Sequence, residues 1–360
     1  MKKHHSNRSM FSGKLGFVLS AAGASVGLGN IWRFPYLAAK YGGGIFLLIY
    51  ILLALTFGYT MIVAETSLGR MTRKSPVGAF ASFTKSHTLK AGGWINAIIP
   101  ILIVPYYSVI GGWVIKYLFE YLRGNAQGLA KDGYFSAFIA DGASAEVCFL
   151  LFAFFTLGII FAGVRNGVER VSRLMMPVLV VLSVVIAVYS VTRPGALAGV
   201  AYFLVPNPAN FSWMTVVTAM GQMFYSLSIA MGILVTFGSY MKKDVSIEES
   251  TEHVEIFDTL IAVMAGLMII PAVFAFSGGD PDTLQAGPAL MFITIPKVFA
   301  SMGLGTVVGV LFFVLVLFAA VTSSIALTES AVSTFEDELG WSRKKAAAVI
   351  GIIICLLYTS

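Results

Sequence analysis

Nine stretches of this chain carry no charged side chain, and their lengths dictate the solvent in which it folds. They are residues 15–32, 41–64, 91–115, 147–164, 174–192, 194–241, 259–279, 298–328 and 346–360. A helix needs about 20 apolar residues to cross the hydrocarbon of a bilayer. The run 194–241 is too long for one crossing and divides into a loop, to about residue 212, and a helix. Eight full spans result, with a ninth cut short at Ser360. Charged residues make up 12% of the chain, against about 25% in soluble domains. Half the usual charge cannot cover a water-facing surface. Soluble enzyme folds, disordered tails and disulfide scaffolds are excluded. The expectation is an all-α membrane protein, one transmembrane domain over 1–360. Cys148 and Cys355 fall on predicted spans and have no redox or metal spacing. The apolar start does not read as a cleaved signal, because glycines interrupt it and it leads directly into a second span.

Lysine and arginine between the spans give the orientation. With the N-terminus inside, the inner segments hold 17 of them, from Lys2 and Arg8 through Arg70 and Arg165 to Lys345. The outer loops hold 5: Lys40, Arg123, Lys131, Arg193 and Lys297. The N-terminus is therefore predicted to be cytoplasmic, in a plasma or inner membrane. The same bias explains the net charge of +6 without nucleic acid. Two outer loops, 193–212 and 280–297, are rich in Gly and Pro and long enough to act as lids. Pro288 and Pro296 bracket an apolar piece that could dip back toward the bundle.

Two spans are poor helices. The first reads Ala22-Gly23-Ala24-Ser25-Val26-Gly27-Leu28-Gly29-Asn30, and each glycine costs about 1 kcal/mol against alanine in a helix. The sixth, Gly221 to Gly232, mixes Gly and Ser with aromatic residues. Small residues can serve close helix packing. They can also mark discontinuous helices, whose unwound backbone is tolerated only where it is buried or lines a cavity. Freed carbonyls there can hold a cation, and half-helix N-termini an anion. The first and sixth spans lie five apart, as two five-helix inverted repeats would place them. That correspondence favours a site at the breaks. The repeats would cover about 10–192 and about 212–360, the second incomplete.

Ionisable groups at membrane depth are the next signal. Arg33, Glu65, Asp258 and Glu329 all lie on predicted spans. A charge near the bilayer centre costs about 2.5–3.5 kcal/mol on insertion scales, so each marks a site unless it snorkels to the interface. Thr322-Ser323-Ser324 interrupts the longest charge-free helix with hydroxyls. These either bond back to the preceding turn or contribute to a hard-oxygen cation site. No metal-protease, Cys-x-x-Cys, nucleophile-elbow or P-loop pattern is present, so an enzyme is not expected.

Gly27-Leu28-Gly29-Asn30-Ile31-Trp32-Arg33-Phe34-Pro35-Tyr36, followed by Gly42-Gly43-Gly44-x-Phe46, resembles the signature of the neurotransmitter:sodium symporter family, in its bacterial amino-acid branch. The likeness runs from about Arg8 to Asp337 and includes Glu65 to Arg70, Tyr106-Tyr107, Gly221 to Gly232 and Thr322-Ser323-Ser324. It implies sodium-coupled import of an amino acid by alternating access, with two sodium sites. By position, the first would use the Ser25 carbonyl, Asn30, Ser226 and Asp258. The second would use the carbonyls of Gly23, Val26 and Ala319 with the hydroxyls of Thr322 and Ser323. The substrate carboxylate would meet the Leu28 and Gly29 amides and the Tyr107 hydroxyl. Its amine would meet carbonyls at Ser25, Tyr225 and Ser226. Ile103, Ser228, Met231 and Leu327 would line the side-chain pocket. Gly27 stands where monoamine carriers of the family have Asp, which favours an amino acid with its own carboxylate. The pocket carries no charge, so the substrate's side chain should be neutral and apolar, aliphatic or aromatic.

Tyr50, Gln222 and Ser226 match the family's chloride site, but Ala262 replaces its hydroxyl or Glu. A carboxylate at Asp258 can balance sodium charge in place of chloride, so chloride independence is expected. Arg8 and Asp337 would close the inside. Arg33 would close the outside with a tenth-helix Asp beyond this sequence. Tyr41 departs from the family's usual Asn. Because the second repeat is incomplete, the chain reads as a fragment of a longer one. Besides the amino acid, sodium and lipid, a homodimer partner is left open. A proton-coupled permease of the same fold and a non-transporting amino-acid sensor are the alternatives.

Overall fold

The computed structural model describes residues 9–83, 87–279, 284 and 286–358. Among these, six continuous helices are long and apolar enough to cross a membrane: Gly44–Thr72, Lys90–Leu122, Gly142–Phe161, Val164–Val191, Ile247–Ser277 and Gly305–Leu339. The first span is a bent pair, Lys14–Ser25 and Gly29–Lys40, with 51° between its halves. The sixth is split into Trp213–Ser226 and Ile233–Ser239. A ninth helix, Arg343–Tyr358, packs on the fourth and eighth.

Burial sorts the helices into layers. The eighth is 72% buried over its most apolar window and the seventh 61%, whereas the second and fifth are 33% buried. The former make the core and the latter face the surroundings, where Leu52, Leu55, Leu174 and Val181 are each more than half exposed, as lipid-facing side chains are. Direct contacts gather the basic segments at one end. Lys14 pairs with Glu249 at 2.5 Å, Arg70 donates to the Lys243 carbonyl at 2.9 Å, and Lys242 donates to the Ser12 carbonyl at 2.7 Å.

The two lid-like loops are partly helical. Residues Ala196–Leu204 form a helix against the seventh span, started by Gly195 in left-handed geometry. This corrects the expectation of a plain loop, whose flanking Gly and Pro obscured the apolar turn between them. The triple glycine exists for this element. Added Cβ atoms at Gly43 and Gly44 would lie 2.2 Å from the Tyr202 carbonyl oxygen and 2.4 Å from that of Val205. Backbone presses on backbone there, and Gly43 also has φ +60. Starting just after Pro288 and running through Pro296, Leu290–Ala300 is a short apolar helix. Its Phe292 stacks with Phe135 and meets Trp113 and Tyr117 edge-on.

Candidate functional site

The first span breaks at residues 26–28, within the predicted glycine run. The sixth breaks at residues 227–232, in the later half of the stretch Gly221 to Gly232. Gly221 itself lies inside the regular helix Trp213–Ser226. In the break, Ser228 and Ala230 take φ +55 and +61, and Gly232 takes +71. Glycine count alone cannot locate such a break, because two of its three left-handed positions carry side chains.

Asp258, fully buried on the seventh helix, ties the two breaks together. Its carboxylate accepts from Asn30 Nδ2 at 2.8 Å, Tyr50 Oη at 3.0 Å and Ser226 Oγ at 2.9 Å. Asn30 in turn turns its Oδ1 to the Gly27 amide at 3.3 Å. Gln222 Nε2 donates to the freed Gly29 carbonyl at 3.1 Å. A buried carboxylate with only neutral donors around it is a strong attractor for a cation.

Thr322 and Ser323 behave differently from one another. The Thr322 hydroxyl bonds back to the Phe318 and Ala319 carbonyls at 2.9 and 3.2 Å, as a mid-helix threonine usually does. The Ser323 hydroxyl crosses to the broken first helix instead. It lies 3.2 Å from the Gly23 carbonyl and 3.3 Å from those of Ala24 and Val26. Of the oxygens expected at the second cation site, the Ser323 hydroxyl thus lies beside the Gly23 and Val26 carbonyls, and the Thr322 hydroxyl beside that of Ala319; all are hard donors.

Between these clusters lies a small cavity lined by 13 residues. Ser25, Gly29, Ile103, Tyr107, Tyr225, Ser226, Ser228, Met231 and Leu327 line it, as do Asn30 and Ser323. Leu28 is buried but outside the lining. Ala24 and Ile233 line it too and were not singled out in the sequence; Ile233 follows Gly232 directly after the break, which was its signal. Gly27 is required by closeness. A Cβ there would lie 2.6 Å from Ser323 Oγ and 2.9 Å from Tyr107 Oη. The cavity thus sets apolar side chains beside unwound, polar backbone, the arrangement expected of a small-molecule site.

On one side the Arg33 guanidinium sits 5.1 Å over the Tyr225 ring. Toward the basic end, Phe11 is wedged edge-on among Phe17, Phe237 and Tyr240. Its amide donates to the Tyr240 carbonyl at 3.1 Å. Ser12 donates to Glu169 through both its amide, at 2.8 Å, and its hydroxyl. Arg8 of the expected inner pair lies outside the described residues. Its counterpart Asp337 accepts the Ser75 amide at 2.5 Å.

Neither Glu65 nor Glu329 snorkels. Glu329 is completely buried and bidentate with Arg343, whose Nη1 is 2.9 Å from Oε1, and it also accepts from Tyr240 at 2.7 Å. Glu65 accepts the Ala230 amide at 2.7 Å. Sequence reading missed the Arg343 partnership because the pair spans a helix break.

With this geometry in hand, the likeness to known proteins is informative. The model of the sodium:neurotransmitter symporter family matches residues 8–127 and 138–360. The sodium-dependent transporter YhdH of Bacillus subtilis (strain 168) is 34% identical over 358 residues, covering 97% of this chain and 78% of that protein. A sodium-dependent transporter of Haemophilus influenzae is 32% identical over 360 residues, covering 96% of this chain and 78% of that protein. The crystal structure of MhsT in complex with L-phenylalanine superposes with a TM-score of 0.88 at 38% identity, covering 98% of this chain and 80% of that one.

Proposed function

Because this chain belongs to the sodium:neurotransmitter symporter family, whose matched relatives are sodium-dependent membrane transporters, we propose that it imports a neutral, apolar amino acid together with two sodium ions. The observation that carries this reading is the meeting of two unwound helices around one cavity, with a buried carboxylate on one side and a hydroxyl–carbonyl cluster on the other. The Leu28 and Gly29 amides and the Tyr107 hydroxyl take the substrate carboxylate. Carbonyls at Ser25, Tyr225 and Ser226 take its amine. Ile103, Ser228, Met231 and Leu327 surround its side chain, with Met231 adaptable enough for aliphatic or aromatic groups. The bound L-phenylalanine of MhsT is of this class.

One sodium is held by the Ser25 carbonyl, Asn30, Ser226 and Asp258. The other is held by the carbonyls of Gly23, Val26 and Ala319 and by Thr322 and Ser323. Transport proceeds by rocking of the repeats about the site, with the N-terminus cytoplasmic and the Phe11 plug releasing inward. Asp258 supplies the negative charge that makes chloride unnecessary.

The test is sodium-dependent binding and vesicle uptake of labelled hydrophobic amino acids, with and without chloride. Uptake persists without chloride in the wild type, and Asp258→Asn weakens sodium-dependent binding. Uptake that collapses without chloride refutes the charge-balance role. Sodium-indifferent binding refutes sodium coupling. Sodium-dependent binding without flux makes the protein a sensor.

A further inference from the structure

A groove between the fourth span and the ninth helix has no part in the transport reading. Phe154, Gly158 and Phe161 line one wall, and Ala348, Ile352 and Leu356 the other. Two contacts frame it. Phe149 stacks on Tyr358 with ring centroids 4.3 Å apart, and Arg343 Nε donates to the Ile160 carbonyl at 3.0 Å. Gly158 opens the space between these ties, since a Cβ there would meet nothing within 4 Å. The rims stand out toward the surroundings: Phe154 is 65% exposed, Ile352 58% and Leu356 64%. From Ala348 to Leu356 the groove follows about 12 Å of helix, and no charged side chain lines it.

Charge gathers at one end instead. The ninth helix opens with Arg343-Lys344-Lys345 and has no acidic residue in its first turn, the reverse of what a helix N-terminus favours. Arg343 is engaged by Glu329. Lys344, and Arg165 four residues beyond Phe161, are exposed and have no partner among the described residues. The Lys345 ammonium lies 4.3 Å over the Trp341 ring. Uncompensated cations at the positive end of a helix call for an anion, and the groove beside them calls for hydrocarbon.

We propose that this groove binds one anionic phospholipid of the leaflet at the basic end, with an acyl chain between the two helices and the phosphate at Lys344, Lys345 and Arg165. A free phosphate would leave the groove empty, and a neutral lipid would leave the cations unpaired. No residue lines both this groove and the cavity between the broken helices, so the lipid site is independent of what that cavity carries.

Native mass spectrometry of the delipidated protein, titrated with phosphatidylglycerol or with phosphatidylcholine of the same chains, counts the lipids retained. The wild type holds one phosphatidylglycerol, about fivefold or more tighter than phosphatidylcholine. Lys344→Ala/Lys345→Ala loses about fivefold per lysine for phosphatidylglycerol and leaves phosphatidylcholine unchanged. Gly158→Leu fills the groove and weakens both lipids, as does Ala348→Leu. All four positions are exposed, and melting of the lipid-free variants at the wild-type temperature shows that their packing is intact. Equal retention of the two lipids by the wild type overturns the proposal. So does phosphatidylglycerol binding that the groove variants leave at wild-type strength. Displacement of the lipid by glycerol phosphate assigns the cations to a soluble anion and overturns it as well. Dimers that Gly158→Leu dissolves, with lipid retention unchanged, give the groove to a second copy of the chain instead.

Discussion

Replacing Gly27 by alanine adds one methyl group to the most crowded point of the site. The new Cβ would stand 2.6 Å from Ser323 Oγ and 2.9 Å from Tyr107 Oη, both well inside contact distance. Something must move. The Ser323 hydroxyl can rotate, but only by leaving the Gly23, Ala24 and Val26 carbonyls 3.2–3.3 Å away. Tyr107 is 5% exposed and cannot retreat without shifting the third helix. Overpacking of this kind costs about 1–3 kcal/mol. Expressed on substrate affinity, that is a loss of about 5- to 150-fold. Because Ser323 is also a proposed sodium ligand, half-maximal binding should need more sodium as well. Equilibrium binding of a labelled hydrophobic amino acid, titrated with sodium on purified protein, reads both effects. Gly158→Ala is the control, since a Cβ there meets nothing within 4 Å. A Gly27→Ala protein with wild-type affinity and sodium dependence would refute the placement of Ser323 and Tyr107 at the substrate site.

Two further outcomes are expected. Arg343→Met strands the fully buried Glu329 carboxylate and should destabilise the protein by about 3–5 kcal/mol, read as a lower denaturation midpoint in detergent, while adding Glu329→Met recovers much of it. A single variant as stable as wild type contradicts the pairing. The Lys297 ammonium, 2.5 Å from Asp132, holds that exposed carboxyl below its ordinary range. A lowered folded value means that the pair's contribution is present above the unfolded carboxylate range and fades as pH falls through the lowered one. The small stability difference between wild type and Asp132→Asn should therefore shrink on acidification and in high salt, and growth of that difference toward acid would reverse the assigned sign.

The spans and the first break were legible because their causes are local. Charge-free length marks a crossing, and three glycines between Gly23 and Gly29 mark a helix that cannot hold. Asp258 was legible for a related reason: a lone carboxylate at the head of an apolar run demands partners. The sixth span was expected to break between Gly221 and Gly232, but the exact place, like the other details not read from sequence, has causes distant in the chain. The sixth break falls at Ser228 and Ala230, whose left-handed backbone owes nothing to their own propensities and depends on contacts with Ala24 and Glu65. Glu329 read equally well as an interfacial charge until Arg343 from the next helix covered it. The helix Ala196–Leu204 is short enough that its surface partner, the seventh span, decides it.

The Ser323 hydroxyl and the Gly23 carbonyl are 300 residues apart in the chain. At about 5–20 residues per second of translation, roughly 15–60 seconds separate the emergence of the first broken helix from that of its partner. Throughout that interval the carbonyls of Gly23 and Val26 have no serine to meet them. The first span must therefore wait in the insertion machinery, or enter the membrane as a continuous helix and unwind once the eighth arrives. The proposed ion site cannot close before the eighth span has been made, so its assembly is a late event of biogenesis rather than an early one.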